Sequence, residues 1–470
     1  SIREKSHNKE FDENFIIIAN NIHKTNDLRY KIKRQINEKY NSNIIEEKIY
    51  KNTNQTNKLN IKNIKDMTDK DYLLLTKVKN QWQNGNFIHS YKLILPLIET
   101  YKNYDIKNEK IAELFICYHN CVLVLGEINI YESYLNKIHN NITNNYYTKE
   151  FKSYFLKQMI TVLLQNGDYK KAFELIHYKS HVSNKYFNIN NQNMSFFKPN
   201  DKNKSLFVYW NGGFGDTFMY ARFIPMLCHS NTNNNIIFAV QNNILWLYTK
   251  LFSYIPNLTI TTLEQITSFD YHCSIEKILL YLNIDNPNKI LFEPYINTKI
   301  LNKTIREDLQ LIINRIKQTN KKSYVINWHG NYSNLHEKYN RGIELNKLGP
   351  ILKNNNYNWI IITKEINNKE LMFLKKFSSA IIIDKELPNY DKISFNDTMS
   401  IFNNIDGVIS TDTSLIHLAA SMGVPTTVLL TKGYEWRWGN NHWYPNIEKI
   451  IQTKTKCWDS VIQTLLNKFN

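Results

Sequence analysis

The sequence predicts an α/β protein: two consecutive units, each a parallel sheet wound with helices, preceded by a region of paired helices. Three observations carry this. From residue 205 onward, short β-branched runs alternate with amphipathic helical stretches. Upstream, glycines recur at residues 85, 126 and 167, a spacing of 41, in a stretch that reads as helix throughout. In each α/β unit one apolar strand runs through small residues straight into a helix.

Composition narrows the class. The 470 residues carry 59 Lys+Arg against 42 Asp+Glu, a formal charge of +17. They are 42% hydrophobic and 13% aromatic, enough for most of the chain to fold. The longest apolar runs, such as Leu93–Ile98 and Ala380–Ile383, fall well short of the about 18 residues a membrane-spanning helix needs. Residues 1–10 are polar and charged, which predicts no secretory signal there and a cytoplasmic protein; the first residue is Ser, not Met. The positive charge is mostly scattered Lys, with only eight arginines, so it reads as solvated surface and nucleic acid is not the expected partner. The five cysteines form no Cys-x-x-Cys pair, and Cys117 and Cys121 read as buried thiols on one helix face.

Taken in order, residues 1–68 are Asn-, Lys- and Glu-rich and predict a partly ordered arm. Residues 69–185 predict helices. Phe87, Ile128 and Tyr169 stand two residues after the three glycines, and Ile94, Leu135 and Ile176 nine after. A glycine so placed ends one helix and lets the next pack closely against it. The third copy, Leu163–Glu174, resembles a tetratricopeptide repeat with a period longer than the usual ~34; an unrelated helical bundle is the alternative. Residues 186–204, polar and containing Pro199, predict a linker.

The first α/β unit, residues 205–318, has strands predicted at Leu206–Trp210, Ile236–Gln241, Leu258–Thr262 and Tyr271–Ser274, with helices at Asp216–Cys228 and Ile244–Tyr254. A long helix, Ile300–Lys317, leads to the second unit, residues 319–470. Its strands are Tyr324–Trp328, Trp359–Thr363, Ala380–Ile383, Gly407–Ser410 and Thr426–Leu430. Its helices are Leu345–Lys353, Asn368–Phe377, Asn396–Asn403, Thr413–Met422 and Cys457–Phe469. Together these predict two Rossmann-like domains facing one another, with ligands at the carboxyl ends of the strands.

Four segments carry chemistry. In Gly407–Pro425 a strand enters Thr411, Asp412, Thr413 and Ser414, then an apolar helix with His417 one turn in. Such a helix start offers backbone N–H groups and its dipole to an anion. Asp412 is the natural N-cap, and Thr413 and Ser414 the phosphate contacts; plain capping is the alternative. In Trp210–Pro225 the turn Gly212-Gly213-Phe214-Gly215 allows close backbone approach to a ligand and sets Asp216 and Thr217 at a helix start. For Asp216, too, capping is the alternative. Third, the strand ending in Trp328 continues into His329, Gly330 and Asn331, with Lys338 and Arg341 beyond. Fourth, Glu435-Trp436-Arg437-Trp438-Gly439 precedes His442-Trp443-Tyr444-Pro445.

Together these segments resemble heptosyltransferase-like GT-B glycosyltransferases, especially those fused to tetratricopeptide repeats. The resemblance covers about residues 205–470 well and the repeats loosely. It implies transfer of a sugar from a nucleotide-sugar donor to a hydroxyl of a glycan or protein acceptor, with inversion. No cofactor beyond that co-substrate is implied, and no metal: the α/β half has no Asp-x-Asp at a strand end. It implies Asp216 as the general base that takes the acceptor proton. It places the donor diphosphate at Thr411, Asp412, Thr413, Ser414 and His417, with Arg341 and Lys338 as cations that offset leaving-group charge. Gly213, Gly215, Thr217, Trp328, His329, Asn331 and Arg437 then line the cleft, His329 standing where relatives often have a small residue. Arg222, Arg341 and Arg437 all fall in these motifs, which points to guanidinium geometry. The repeats imply a surface for the acceptor or a protein partner. No Walker loop, Gly-x-Ser-x-Gly elbow or convincing dinucleotide fingerprint occurs. The rival readings are a GT-B scaffold that binds without turnover and nucleic-acid binding through the basic arm.

Overall fold

Both predicted sheets are present and wholly parallel. The computed structural model describes residues 67–104, 106–126, 132–143, 146–182, 197–198, 200–266, 268–290, 292–297, 305–332, 337, 341–383, 394–439 and 442–470. Lys338, Pro199, nearly all of the arm and most of the linker lie outside them. Residues 61–470 form one compact unit.

Among the described residues six helices come first: α1 (Asp69–Gln83), α2 (Phe87–Tyr101), α3 (Glu109–Leu125), α4 (Glu132–Thr143), α5 (Lys149–Gln165) and α6 (Tyr169–Val182). Thr68 caps α1 by accepting from the Asp71 N–H at 3.2 Å, so Met67 and Thr68 belong with the helices and not with the arm. Asn108 and Thr148 cap α3 and α5 in the same way. Gly85, Gly126 and Gly167 have φ of 77°, 65° and 85° at the helix ends that the spacing of 41 picks out. Cys117 and Cys121 are free thiols of α3, and burial pushes Cys121 up to about 12.

The first sheet unit contains β1 (Ser205–Tyr209), α7 (Phe214–Tyr220), α8 (Ile224–His229), β2 (Asn235–Ala239), α9 (Leu245–Leu251), β3 (Leu258–Thr261), β4 (Tyr271–Ser274) and α10 (Ile278–Tyr281), in strand order β3-β2-β1-β4. The second contains α11 (Glu307–Gln318), β5 (Lys322–Asn327), α12 (Gly349–Leu352), β6 (Tyr357–Ile361), α13 (Asn368–Leu374), β7 (Ala380–Ile382), α14 (Phe395–Phe402), β8 (Gly407–Thr411), α15 (Ser414–Ser421), β9 (Thr426–Leu430), β10 (Ile447–Ile451) and α16 (Asp459–Phe469). Its strand order is β10-β9-β8-β5-β6-β7. In each sheet the chain moves outward on one side of its first strand, then returns to the other side. The switch points lie between β1 and β4 and between β5 and β8, and ligands of such sheets bind outside the carboxyl ends there. β8 and β9 are buried at every position, as parallel strands covered on both faces require.

Three expectations need correction. The predicted helix Asp216–Cys228 starts at Phe214 and breaks at a 3-10 turn, Ala221–Phe223, because Pro225 in the first turn of α8 has no N–H to continue α7. The predicted long helix begins, in the described residues, only at Glu307. Strand β10 was not predicted: it is an edge strand with Ile447 and Ile450 buried and Glu448 exposed, a pattern too polar to stand out.

The helices and the second sheet meet through the turns the glycines make. An ideal Cβ on Gly126 would lie 2.7 Å from the Lys432 carbonyl oxygen, and one on Gly433 only 2.3 Å from those of Leu123 and Val124. Lys456 Nζ donates to the Gly85 carbonyl at 2.5 Å. Trp443 Nε1 donates to Tyr169 Oη at 3.0 Å, and Trp436 stands edge-on to the same ring. All three turns therefore dock on residues 432–456. Gly433→Ala forces backbone against backbone where no side chain can give way, so it should cost about 2 kcal/mol. Urea unfolding measures this; an unchanged midpoint would show that the two surfaces do not pack as described.

Candidate functional site

At the β5/β8 switch point a polar network fixes both loops. Asn327 Nδ2 donates to Ser410 Oγ and to the His329 carbonyl, each at 2.9 Å, and Thr363 Oγ1 donates to Asn327 Oδ1 at 2.8 Å. Ser410 Oγ also lies 3.0 Å from Thr413 Oγ1. Thr413, not Asp412, is the N-cap of α15, and with its hydroxyl turned to Ser410 it makes no side-chain cap bond. The first-turn N–H groups of a helix have no intrahelical acceptor. This uncapped end, with Thr413 and Ser414 half-buried, therefore suits an anion. Thr411 is fully buried, and its Oγ1 has no partner among the described residues.

Released from capping, Asp412 turns its Oδ1 to 3.6 Å from His417 Nε2. His417 is buried, with Nδ1 2.6 Å from Tyr444 Oη. Its Nε2 lies 3.4 Å from Arg437 Nη1, which also donates to Asp216 Oδ1 at 3.2 Å. Arg437 Nη2 donates to Glu435 at 2.5 Å, while its Nε is buried without a partner among the described residues. Asp216 Oδ2 accepts from the Gly213 N–H at 2.9 Å, so the capping alternative for Asp216 holds for one of its two oxygens.

The glycines serve this cluster. Gly212 has φ of 144°, and a Cβ there would meet Asp216 Oδ2 at 2.4 Å. A Cβ on Gly215 would meet the His417 ring at 2.7 Å. The close approach expected for a ligand is thus taken, at these two positions, by a carboxylate and an imidazole. As a result α7 of the first unit lies directly on α15 of the second.

Burial acts first on His417, Asp412 and Arg437. It lowers His417's titration, and Arg437 alongside lowers it further, outweighing the Asp412 contact. Burial alone would raise Asp412, but the His417 contact and the Arg437 and Arg341 charges hold it well below the usual carboxylate range. Burial opposes the charge on Arg437, and Glu435, Asp216 and Asp412 more than restore it.

The other predicted residues divide. Arg341 reaches the site and pairs through Nε with Glu337 Oε1 at 2.6 Å. It and Asp412 line a recess of about 90 Å³. Trp328 is core, its Nε1 donating to Glu370 at 2.9 Å. His329 is buried: its ring stacks on Tyr332 at 4.0 Å, and its Nε2 has no partner among the described residues. Thr217 is buried and donates to Gln241 at 2.9 Å, whereas Asn331 and Gly213 are exposed. Arg222 is a structural tie, donating to the Met219 and Trp443 carbonyls beneath Tyr444. Sequence reasoning assigned no role to Tyr444 or Glu435; both flank Arg437 in the aromatic segment it had already singled out. Among the described residues, no group of three or more His, Cys, Asp and Glu is placed to hold a metal ion. No described helix is long and apolar enough to cross a membrane.

No protein-family description matches this chain, and no curated protein matches it. Several solved structures are similar. A glycosyl transferase family 9 protein from Veillonella parvula shares 11% identity over 53% of this chain and 86% of that one, with a TM-score of 0.33. The E. coli ADP-heptose LPS heptosyltransferase II shares 10% over 57% of this chain and 97% of that one, at 0.35. An O-GlcNAc transferase variant from Thermobaculum terrenum shares 9% over 86% of this chain and 90% of that one, at 0.28.

The lowered His417 titration makes a prediction with a definite sign. Below its ordinary value of 6.5 the unfolded chain binds a proton that the folded chain refuses. Stability should therefore fall as pH drops from 6.5 toward 5, the His417 contribution being intact above that window. His417→Gln should decline less steeply than wild type in urea unfolding across this range. His119, buried and lowered to about 4, keeps its own share in both proteins. Equal slopes would contradict the buried neutral imidazole.

Proposed function

We propose that this chain is a GT-B glycosyltransferase, carrying a sugar from a nucleotide-sugar to an acceptor hydroxyl without a metal ion. One observation carries the proposal. Asp216, at the carboxyl edge of one sheet, is held through Arg437 to His417 of α15, the helix whose uncapped start lies at the carboxyl edge of the other. A base and an anion site at one junction are what transfer from a diphosphate leaving group needs.

In this reading the acceptor hydroxyl lies against Asp216, which takes its proton as the oxygen attacks the anomeric carbon. The bond from that carbon to the diphosphate breaks on the opposite side, so the configuration inverts. The departing diphosphate is received by the first N–H groups of α15, by Thr413 and Ser414, and by Arg341. His417, neutral and fixed by Tyr444, orients Arg437 between the two sides. The helical region, docked by its turns, presents its remaining surface to an acceptor or protein partner.

A donor-binding scaffold without turnover is the second reading, favoured by the engagement of both Asp216 oxygens. One assay separates them. With a panel of nucleotide sugars, Asp216→Asn should lower kcat by about 10²–10⁴ and leave the donor KM little changed. Undiminished transfer by the variant would remove Asp216 as the base. Donor binding by wild type with no transfer to any acceptor offered would favour the scaffold.

A further inference from the structure

Neither Arg341 nor Arg437 stands free for a phosphate. Arg341 pairs with Glu337 at 2.6 Å, and Arg437 pairs with Asp216 at 3.2 Å and with Glu435 at 2.5 Å. A diphosphate at the start of α15 therefore has to compete with a carboxylate for a guanidinium. The two pairs differ in what their loss would cost. The Glu337 side chain is 2% exposed, and its second oxygen is buried with no partner among the described residues. Taking Arg341 from it would leave a buried carboxylate without its cation. Asp216 is 29% exposed and keeps the Gly213 N–H on Oδ2, so it tolerates the loss of Arg437. Arg437 is itself incompletely bonded: its Nε–H has lost water as an acceptor and gained no partner among the described residues. Glu435, which holds Nη2, lines the recess that Arg341 and Asp412 also line. The guanidinium thus stands between that recess and Asp216.

We infer that Arg437 is a latch on the base: the donor's diphosphate draws its guanidinium off Asp216, so that Asp216 is open to an acceptor hydroxyl only once a donor is seated. The inference rests on the nucleotide-sugar reading and adds to it the order in which the two substrates engage. While Arg437 holds Oδ1, an acceptor hydroxyl has to displace a charge-assisted bond to reach that oxygen. When the diphosphate is seated, Nη1 leaves Oδ1, and Nε and Nη1 turn to phosphate oxygens. Glu435 keeps Nη2 as the pivot. No proton moves and no covalent bond changes in this step; one guanidinium changes partners. Because α7 and α15 touch directly at Gly215 and His417, the exchange takes the turn of a side chain and no movement of the sheets. Arg437 is then a positioning residue for Asp216 and a ligand of the leaving group. The engagement of both Asp216 oxygens, which favours a scaffold, is on this view the closed setting of an enzyme's latch.

Crystal structures of the full chain with inorganic pyrophosphate or with ADP test this. With either probe, Arg437 Nη1 should lie more than about 4 Å from Asp216 Oδ1, and its guanidinium within hydrogen-bond distance of a phosphate oxygen. Calorimetry adds a readout that a purely structural tie would not move. Arg437→Gln should weaken pyrophosphate binding at least about tenfold, and Arg437→Lys, which keeps the charge, should recover part of that loss. If Arg437→Gln does not fold, the wild-type structures decide alone. Pyrophosphate bound at the start of α15 with Arg437 still on Asp216 overturns the latch and leaves the donor reading standing. A folded Arg437→Gln variant with wild-type affinity does the same. If neither probe binds the wild type, the nucleotide-sugar reading falls with the latch.

Discussion

Arg437 reaches Asp216 at 3.2 Å and His417 at 3.4 Å from a turn that belongs to the second sheet, and it does so with only 12% of its side chain exposed. A buried guanidinium is tolerated only where anionic groups surround it. Here Glu435, Asp216 and Asp412 do so, drawn from three separate segments of the chain. The positions of β1, β8 and the aromatic segment are thus constrained together. Gly212 and Gly215 follow from the same constraint, because a methyl group at either would push Asp216 or His417 out of place. So does Thr413 as the cap of α15, since Asp412 is needed beside His417.

The helices before the sheets are part of this arrangement and not an appendage. Their three glycine turns lie on the stretch that carries Trp436, Arg437, Trp438 and Trp443, and Tyr169 holds both Trp436 and Trp443. Trp438 and Tyr444 in turn flank the His417 ring. Two aromatic groups, one at the third turn and one around the imidazole, are therefore joined where Trp443 of the first is followed by Tyr444 of the second. The aromatic segment thus has two duties: its tryptophans pack the helices to the sheet, and its one arginine faces the site.

The strands were legible because parallel strands covered on both faces need unbroken apolar, β-branched runs, and Gly407–Thr411 and Thr426–Leu430 are such runs. The three turns were legible because only glycine fits their positive φ without strain. Strand β10 was not, since an edge strand alternates charge with apolar residues and still pairs. The site was legible in its members and not in its wiring. Asp216, Asp412, His417, Arg341 and Arg437 all come together, yet nothing local says that Asp412 yields the cap to Thr413, or that Gly215 makes room for a ring 202 positions later in the sequence. Trp328 was misjudged for a related reason: its place at a strand end is shared by cleft and core residues, and Glu370 behind it decides for the core. Such pairings are set by tertiary packing, which periodicity and propensity do not encode.

The central claim is that the start of α15 and the guanidinium of Arg341 form a seat for a diphosphate opposite Asp216. A crystal structure of the full chain with a bound nucleoside diphosphate tests it most directly. Phosphate oxygens should lie within hydrogen-bond distance of the Ser414 backbone N–H and of Arg341, with Asp216 facing the side where sugar and acceptor meet. A diphosphate bound elsewhere, with the start of α15 in contact only with protein, would contradict it.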